Sequence, residues 1–440
     1  MFPLVWLCLA IVAINKNNRN LWWVYLVTCM WINDDIRFLS LTVLNILMVY
    51  VIIYAVWRIK GVNYNLYPRT VRNRLYYLLS YMVVTTVLIT ILSTGPILTN
   101  LWALKSSLII WTFLFVLPYF PQMTRYGNYV ILLSVVVLSL YGIYCYISSS
   151  NPFLVALQDY FSESTNIVGK IERSMDDARG VLKGRITGTS RYTIQYGVLM
   201  LLLIYVMMYE SSAKRHLKFI FTAITLSFIN IYLRGSRGPL AAFVIGIAIY
   251  YTWSLSFKKK LAIYILLVVF YIAFENYFDY YILSIAQNEV GGSTTEGRLM
   301  QFYGAYHEVY SDYNSLLFGR GPYFINEYLT KYGAHPLAAR FESTHVSGIV
   351  TYGILGLIFI FIGTCVMIWK ISYDLFRLKY IRPETYKIIT SLIISYLIYN
   401  IMVGNAYHYL FYFIIYMMIL NDSVILQRNK SKKIIKLRDI

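Results

Sequence analysis

Apolar runs of bilayer-crossing length recur along this chain, among them Leu39–Trp57, Tyr76–Leu92, Tyr129–Ile147, Ile194–Tyr209, Pro239–Leu255 and Val346–Ile368. A transmembrane helix needs roughly 18–20 consecutive apolar residues. A transmembrane barrel would instead show short strands of alternating polarity. The runs here are continuous, so the sequence predicts an all-α polytopic membrane protein with about 12–13 transmembrane helices. It forms a single integral membrane domain over residues 1–440. Charged residues make up only 13% of the chain, against about 25% in soluble domains.

The net charge of +19 would suggest nucleic acid in a soluble protein. In a membrane protein the excess of Lys and Arg in cytoplasmic loops explains it better. Seven segments are assigned inside: Asn15–Asn20, Arg58–Arg74, Tyr119–Gly127, Glu210–Lys218, Phe257–Lys260, Lys370–Lys387 and the tail from Leu420. They hold 25 Lys and Arg against 5 Asp and Glu, and the rest of the chain holds 14 against 15. The inverted topology would expose nearly all the basic excess. The C-terminus is therefore expected inside, and the basic tail Arg428–Arg438 reads as an anchor at the anionic leaflet.

This assignment leaves several elements outside. They are the loop Ser148–Ser190, the brief turn Leu233–Gly238, the large hydrophilic loop Asp279–Thr344 and the short turn Gly404–His408. Long polar loops in such chains usually carry function. The first apolar run, Pro3–Ile14, lacks a basic flank before it, so no cleavable signal peptide is expected. The four cysteines lie in apolar segments without a C-x-x-C pair, and the five histidines are scattered. No disulfide framework, metal site or cofactor is expected.

Arg234-Gly-Ser-Arg237-Gly-Pro sits where one span ends and the next begins. Arginine at membrane depth costs roughly 2.5–3.5 kcal/mol on insertion scales. Pro239 suits the first turn of the next helix, whose N-terminus offers free N–H donors to an anion. Snorkelling at the interface is the alternative. In the large loop, Gly291–Gly297 is turn-rich. Arg298 then opens a helical run with Leu299, Phe302, Ala305, Tyr306 and Val309 at helical spacing. The stretch Leu316-Leu-Phe-Gly319-Arg320-Gly321-Pro322 predicts a turn. The loop closes on Arg340-Phe-Glu342-Ser-Thr-His345. Histidine there is suited to general-base work or hydroxyl orientation. The alternatives are a salt bridge from Arg298 to Glu296 and a satisfied interfacial His345. As a set, two guanidinium groups can clamp a diphosphate beside a histidine that deprotonates a hydroxyl.

The order of these elements resembles the O-antigen polymerase and ligase superfamily, often called Wzy-type. The resemblance rests on Gly235-Ser-Arg237-Gly, Gly297-Arg298, Phe318-Gly-Arg-Gly321, His345 and Gly353-Ile-Leu-Gly-Leu357, with Gly184-Arg185-Ile-Thr-Gly188-Thr189 upstream. It covers roughly residues 184–360. Val346 follows His345 where the family often has Asn, and Phe302 falls near a common Trp position. The resemblance implies a glycosyltransferase-C-like helical architecture and metal-independent glycosyl transfer at the outer (periplasmic) face of the bacterial inner membrane. The donor and acceptor would be undecaprenyl-diphosphate-linked oligosaccharides, with a chain-length regulator and a flippase as partners and no nucleic acid. It implies that Arg237 and Arg298 bind the diphosphate and that His345 is catalytic. Arg234, Arg185, Arg320, Arg340, Glu342 and His408 form a second tier. A polymerase of O-antigen or capsule repeat units is the leading expectation. A ligase transferring the chain to a lipid A core is the near alternative, and a lipid-linked oligosaccharide flippase is the alternative of another class.

Overall fold

The structure, a computed structural model, describes residues 2–32, 36–38, 41–58, 68–120, 123–160, 169, 185–190, 193–212, 217–234, 237–253, 255–256, 258–259, 261–263, 265–266, 269, 287–288, 292–310, 312–324, 344–402 and 407–438. The amino-terminal half contains α1 (Phe2–Lys16), α2 (Leu21–Trp31), α3 (Val43–Arg58), α4 (Arg69–Leu92), α5 (Ile97–Ala103), α6 (Lys105–Val116), α7 (Arg125–Ser148) and α8 (Pro152–Ala156). Then follow α9 (Thr193–Ser212), α10 (Leu217–Leu233), α11 (Arg237–Thr252), α12 (Thr294–Tyr310) and α13 (Tyr313–Phe318). The chain ends with α14 (Thr344–Gly356), α15 (Gly363–Arg377), α16 (Pro383–Met402) and α17 (Tyr407–Arg438). Two minimal antiparallel hairpins, pairing Arg37–Phe38 with Leu41–Thr42 and Gln287–Asn288 with Gly292–Ser293, complete the description.

Apart from these hairpins the described residues are predominantly helical, and the long apolar helices fit an all-α membrane protein. Arg69–Leu92, Tyr126–Ser148 and the continuous run His345–Arg377 are long and apolar enough to cross a bilayer. Ile97–Ala103 and Ser107–Tyr119, bent by 48°, make a fourth span if taken together. Five shorter apolar helices accompany them among the described residues. Among the described residues three to four long spans therefore stand against the twelve to thirteen that the sequence predicts for the whole chain. Length explains part of the difference: α3, α10 and α11 have 16, 17 and 16 residues. At 1.5 Å per residue they fall short of a hydrocarbon core about 30 Å thick.

Each helix's apolar pattern fixes its place. In α9 every residue from Tyr196 to Glu210 is buried. A helix apolar all round belongs at the centre, and α9 packs against α7, α10, α11, α16 and α17. By contrast, α7 exposes Leu133, Val137, Leu140 and Tyr144 at three- and four-residue spacing, and α4 exposes Val84, Leu88 and Leu92. Such apolar stripes are unfavourable in water and suit contact with lipid.

Segments that charge assigns to one side meet at one end of the bundle. Arg74 pairs with Asp374, and Tyr76 bonds to Tyr119. Asn421 donates to the Phe120 carbonyl at 3.0 Å, Arg382 to the Ser212 carbonyl at 3.2 Å, and Tyr209 to Asp422 at 2.7 Å. At the opposite helix ends, Asn151 donates to Thr187 at 2.9 Å, and the Thr94 N–H reaches the Gly319 carbonyl at 3.0 Å.

Candidate functional site

The carboxyl-terminal part of the large loop is built on α12, α13 and α14. Gln301, Ala305 and Val309 form the buried stripe of α12, whereas Leu299, Phe302 and Tyr306 are exposed. The predicted helix is present; of the five apolar residues read at helical spacing, Ala305 and Val309 lie on the buried face and Leu299, Phe302 and Tyr306 do not. Ala305 packs with Val346 and Val350 of α14 and with Phe324. Position 298 lies seven residues before Ala305, two turns back along the same helix. His345, half-buried, stands beside Val346 in the first turn of α14. The helices bearing Arg298 and His345 therefore pack directly on one another. The side chain of Arg298 lies outside the described residues, as do Arg340 and Glu342.

Between these helices runs the glycine-rich turn. Asp312 caps α13, accepting from the N–H groups of Asn314 and Ser315 at 3.2 and 3.1 Å and from the Ser315 hydroxyl at 2.8 Å. The Ser315 hydroxyl, with the two N–H groups and Arg320 behind it, holds this carboxyl below its ordinary pKa. Gly319 and Gly321 then take φ values of 75° and 94°, a region that side chains with a Cβ rarely enter. Gly353 of α14 does the same at 66°. A Cβ on Gly319 would overlap the backbone of Thr351, and one on Gly353 would overlap the Leu317 carbonyl. The turn and the kinked helix thus touch backbone to backbone. Of the turn predicted over Leu316–Pro322, the structure has Gly319–Gly321, since Leu316–Phe318 complete α13; its glycines permit this approach.

The second group lies where α10 gives way to α11. Arg234 follows the last residue of α10 and is fully buried. Its N–H still closes a helical turn onto the Asn230 carbonyl at 3.1 Å. A Cβ on Gly197 of α9 would overlap the guanidinium, and Tyr399 of α16 lies within its electrostatic reach. Arg185 arrives from the preceding loop and donates Nε–H to the Arg234 carbonyl at 3.3 Å. Arg237 begins α11, with Pro239 inside its first turn as predicted. The side chain of Arg237 is not among those described.

One helix relates the two groups. α16 packs along α11, against α9 under Arg234, and against α14. Arg185, Arg234 and the start of α11 come together, and so do α12 and α14. His408 lies at the start of α17, with its side chain outside those described. The guanidinium of Arg320 is turned onto the carbonyl of Glu308 at 3.1 and 2.8 Å. Among the described residues no group of three or more His, Cys, Asp or Glu could hold a metal.

The opposite end carries a feature that sequence reasoning missed. Glu210 and Asp422 are buried. They line a small cavity with Trp22, Met123, Tyr209, Met418 and Asn421. Asn128 donates to Glu210 at 2.9 Å and Tyr209 to Asp422 at 2.7 Å. The available signal was a carboxylate at the edge of an apolar run in both Met208-Tyr-Glu210 and Leu420-Asn-Asp422. No protein-family model matches the chain, and a search of curated proteins finds no match.

Proposed function

We propose that this protein is a polysaccharide repeat-unit polymerase of the bacterial inner membrane, acting on undecaprenyl-diphosphate-linked oligosaccharides at its outer face. The observation that carries the reading is the packing of α12 on α14 through Ala305, Val346 and Val350. It joins the helix that bears Arg298 to the one that bears His345. In the proposed reaction a hydroxyl of the acceptor sugar attacks the anomeric carbon of the donor, and the lipid diphosphate leaves. Arg237 and Arg298 hold the diphosphate, and their contacts strengthen as charge develops on it. His345 takes the hydroxyl proton or orients the hydroxyl. A glycosyltransferase-C-like arrangement of helices belongs to the same proposal.

Deletion of the gene tests the reaction class. Loss of a polymerase leaves single repeat units on the final acceptor. Long polymer on the lipid carrier in the deletion strain would instead indicate a ligase, which shares the donor.

One observation favours a second reading. Buried ionisable residues in membrane proteins mark ion and substrate pathways in transporters, and Glu210 and Asp422 are buried, at the end of the bundle that charge assigns to the cytoplasm. A flippase would move a fluorescent lipid-linked oligosaccharide across a reconstituted vesicle membrane, and Glu210→Gln would stop it. Absence of movement in wild-type vesicles would end that reading.

A further inference from the structure

Arg320 holds two helices by two different parts of itself. Its side chain donates from Nε and Nη2 to the Glu308 carbonyl of α12. That carbonyl belongs to the last turn of α12, where backbone oxygens have no partner within the helix. A cation there also meets the negative end of the helix dipole. Its backbone N–H donates to the Val350 carbonyl of α14 at 2.7 Å, and the next N–H, of Gly321, donates to Thr351 at 2.9 Å. These two carbonyls stand just before Gly353, where non-helical dihedrals interrupt the ladder of α14. The kink thus frees two acceptors, and the turn at Arg320–Gly321 takes both. The same guanidinium stands over the Phe324 ring, 5.8 Å from its centroid, and Phe324 packs on Ala305, Val346 and Val350.

We infer that Arg320 is a positioning residue, which sets the helix bearing Arg298 against the helix bearing His345. This rests on the reading of α12 and α14 as two sides of one site. A side-chain substitution therefore removes the bonds to α12 and the contact with Phe324, and leaves the backbone bonds to α14. Arg320→Met keeps the length and removes the donors. Arg320→Lys keeps the charge at the end of α12 and loses the fork.

The test uses spin labels on Tyr303→Cys and Ile354→Cys, both exposed positions, in purified full-length protein with Cys8→Ser. Electron–electron distance measurements are paired with turnover of a synthetic lipid-diphosphate oligosaccharide. The expected result is one narrow distance in the parent, a broadened distribution in Arg320→Met and an intermediate one in Arg320→Lys. Turnover falls by about 100-fold in Arg320→Met, the order that a misplacement of about 1 Å costs. KM for the donor changes little, and Arg320→Lys restores part of the turnover. An unchanged distance distribution in both variants overturns the inference, as does a broadened one with unchanged turnover. If the parent makes no product but the distribution still broadens, the coupling of the helices is supported and the polymerase reading falls.

Discussion

Arg185 donates its Nε–H to the backbone carbonyl of Arg234, across 49 residues of sequence. The bond fixes the loop before α9 onto the turn between α10 and α11. It also sets two guanidinium groups at one corner of the bundle, one of them fully buried. Three residues further on, Arg237 begins α11. This corner therefore gathers positive charge from two separate stretches of sequence.

The seat of Arg234 is a glycine. Gly197→Ala would place a methyl group within the guanidinium. Overpacking of this kind costs about 1–3 kcal/mol. The expected outcome is a lower unfolding temperature in detergent, read against a wild-type control, with recovery when Arg234 is shortened to Ala in the same chain.

Backbone contact between the glycine turn and α14 makes a second prediction. Gly319→Ala and Gly353→Ala each force a Cβ into a positive-φ residue that already touches backbone. Each should destabilise by about 1–3 kcal/mol. The measurement is thermal unfolding in detergent, read against wild type.

At the opposite end, Tyr209→Phe removes the donor to the buried Asp422. A hydrogen bond to a charged group contributes about 1.5–3 kcal/mol. Stability should fall while product formation at the far end stays near wild type. Equal stability of the Phe variant would show that the bond contributes nothing.

His345→Ala separates chemistry from binding. Its expected effect is a large fall in turnover with donor affinity close to wild type. A fall in affinity alone would remove the base role from His345.

Much of this architecture is legible in the sequence because lipid imposes long continuous apolar runs. α4, α7 and the run from α14 through α15 follow directly from hydropathy. Loop charge sorts the helix ends, and the contacts Arg74–Asp374 and Asn421–Phe120 join segments assigned to one side. The helix after Arg298 is legible from its period, but its buried face only in part: Ala305 and Val309 are buried, whereas Leu299, Phe302 and Tyr306 are exposed. Both faces of α12 carry apolar or aromatic residues, so spacing gives the period without the phase. The phase comes from Val346 and Val350, which lie on another helix. Burial of Arg234 was illegible for a similar reason: Gly197 and Tyr399, which enclose it, lie far away in sequence. The Glu210 and Asp422 corner depends on partners 82 and 213 residues distant. Gly353 belongs to a sequence motif, and its kink appears only where the turn at Arg320 docks.

The most direct measurement is product analysis with purified protein and a synthetic undecaprenyl-diphosphate oligosaccharide as sole donor and acceptor. Wild-type protein is predicted to give a ladder of elongated lipid-linked chains, and Arg298→Ala is predicted to insert normally and give none. No elongated product from wild-type protein, or a wild-type ladder from Arg298→Ala, would contradict the account.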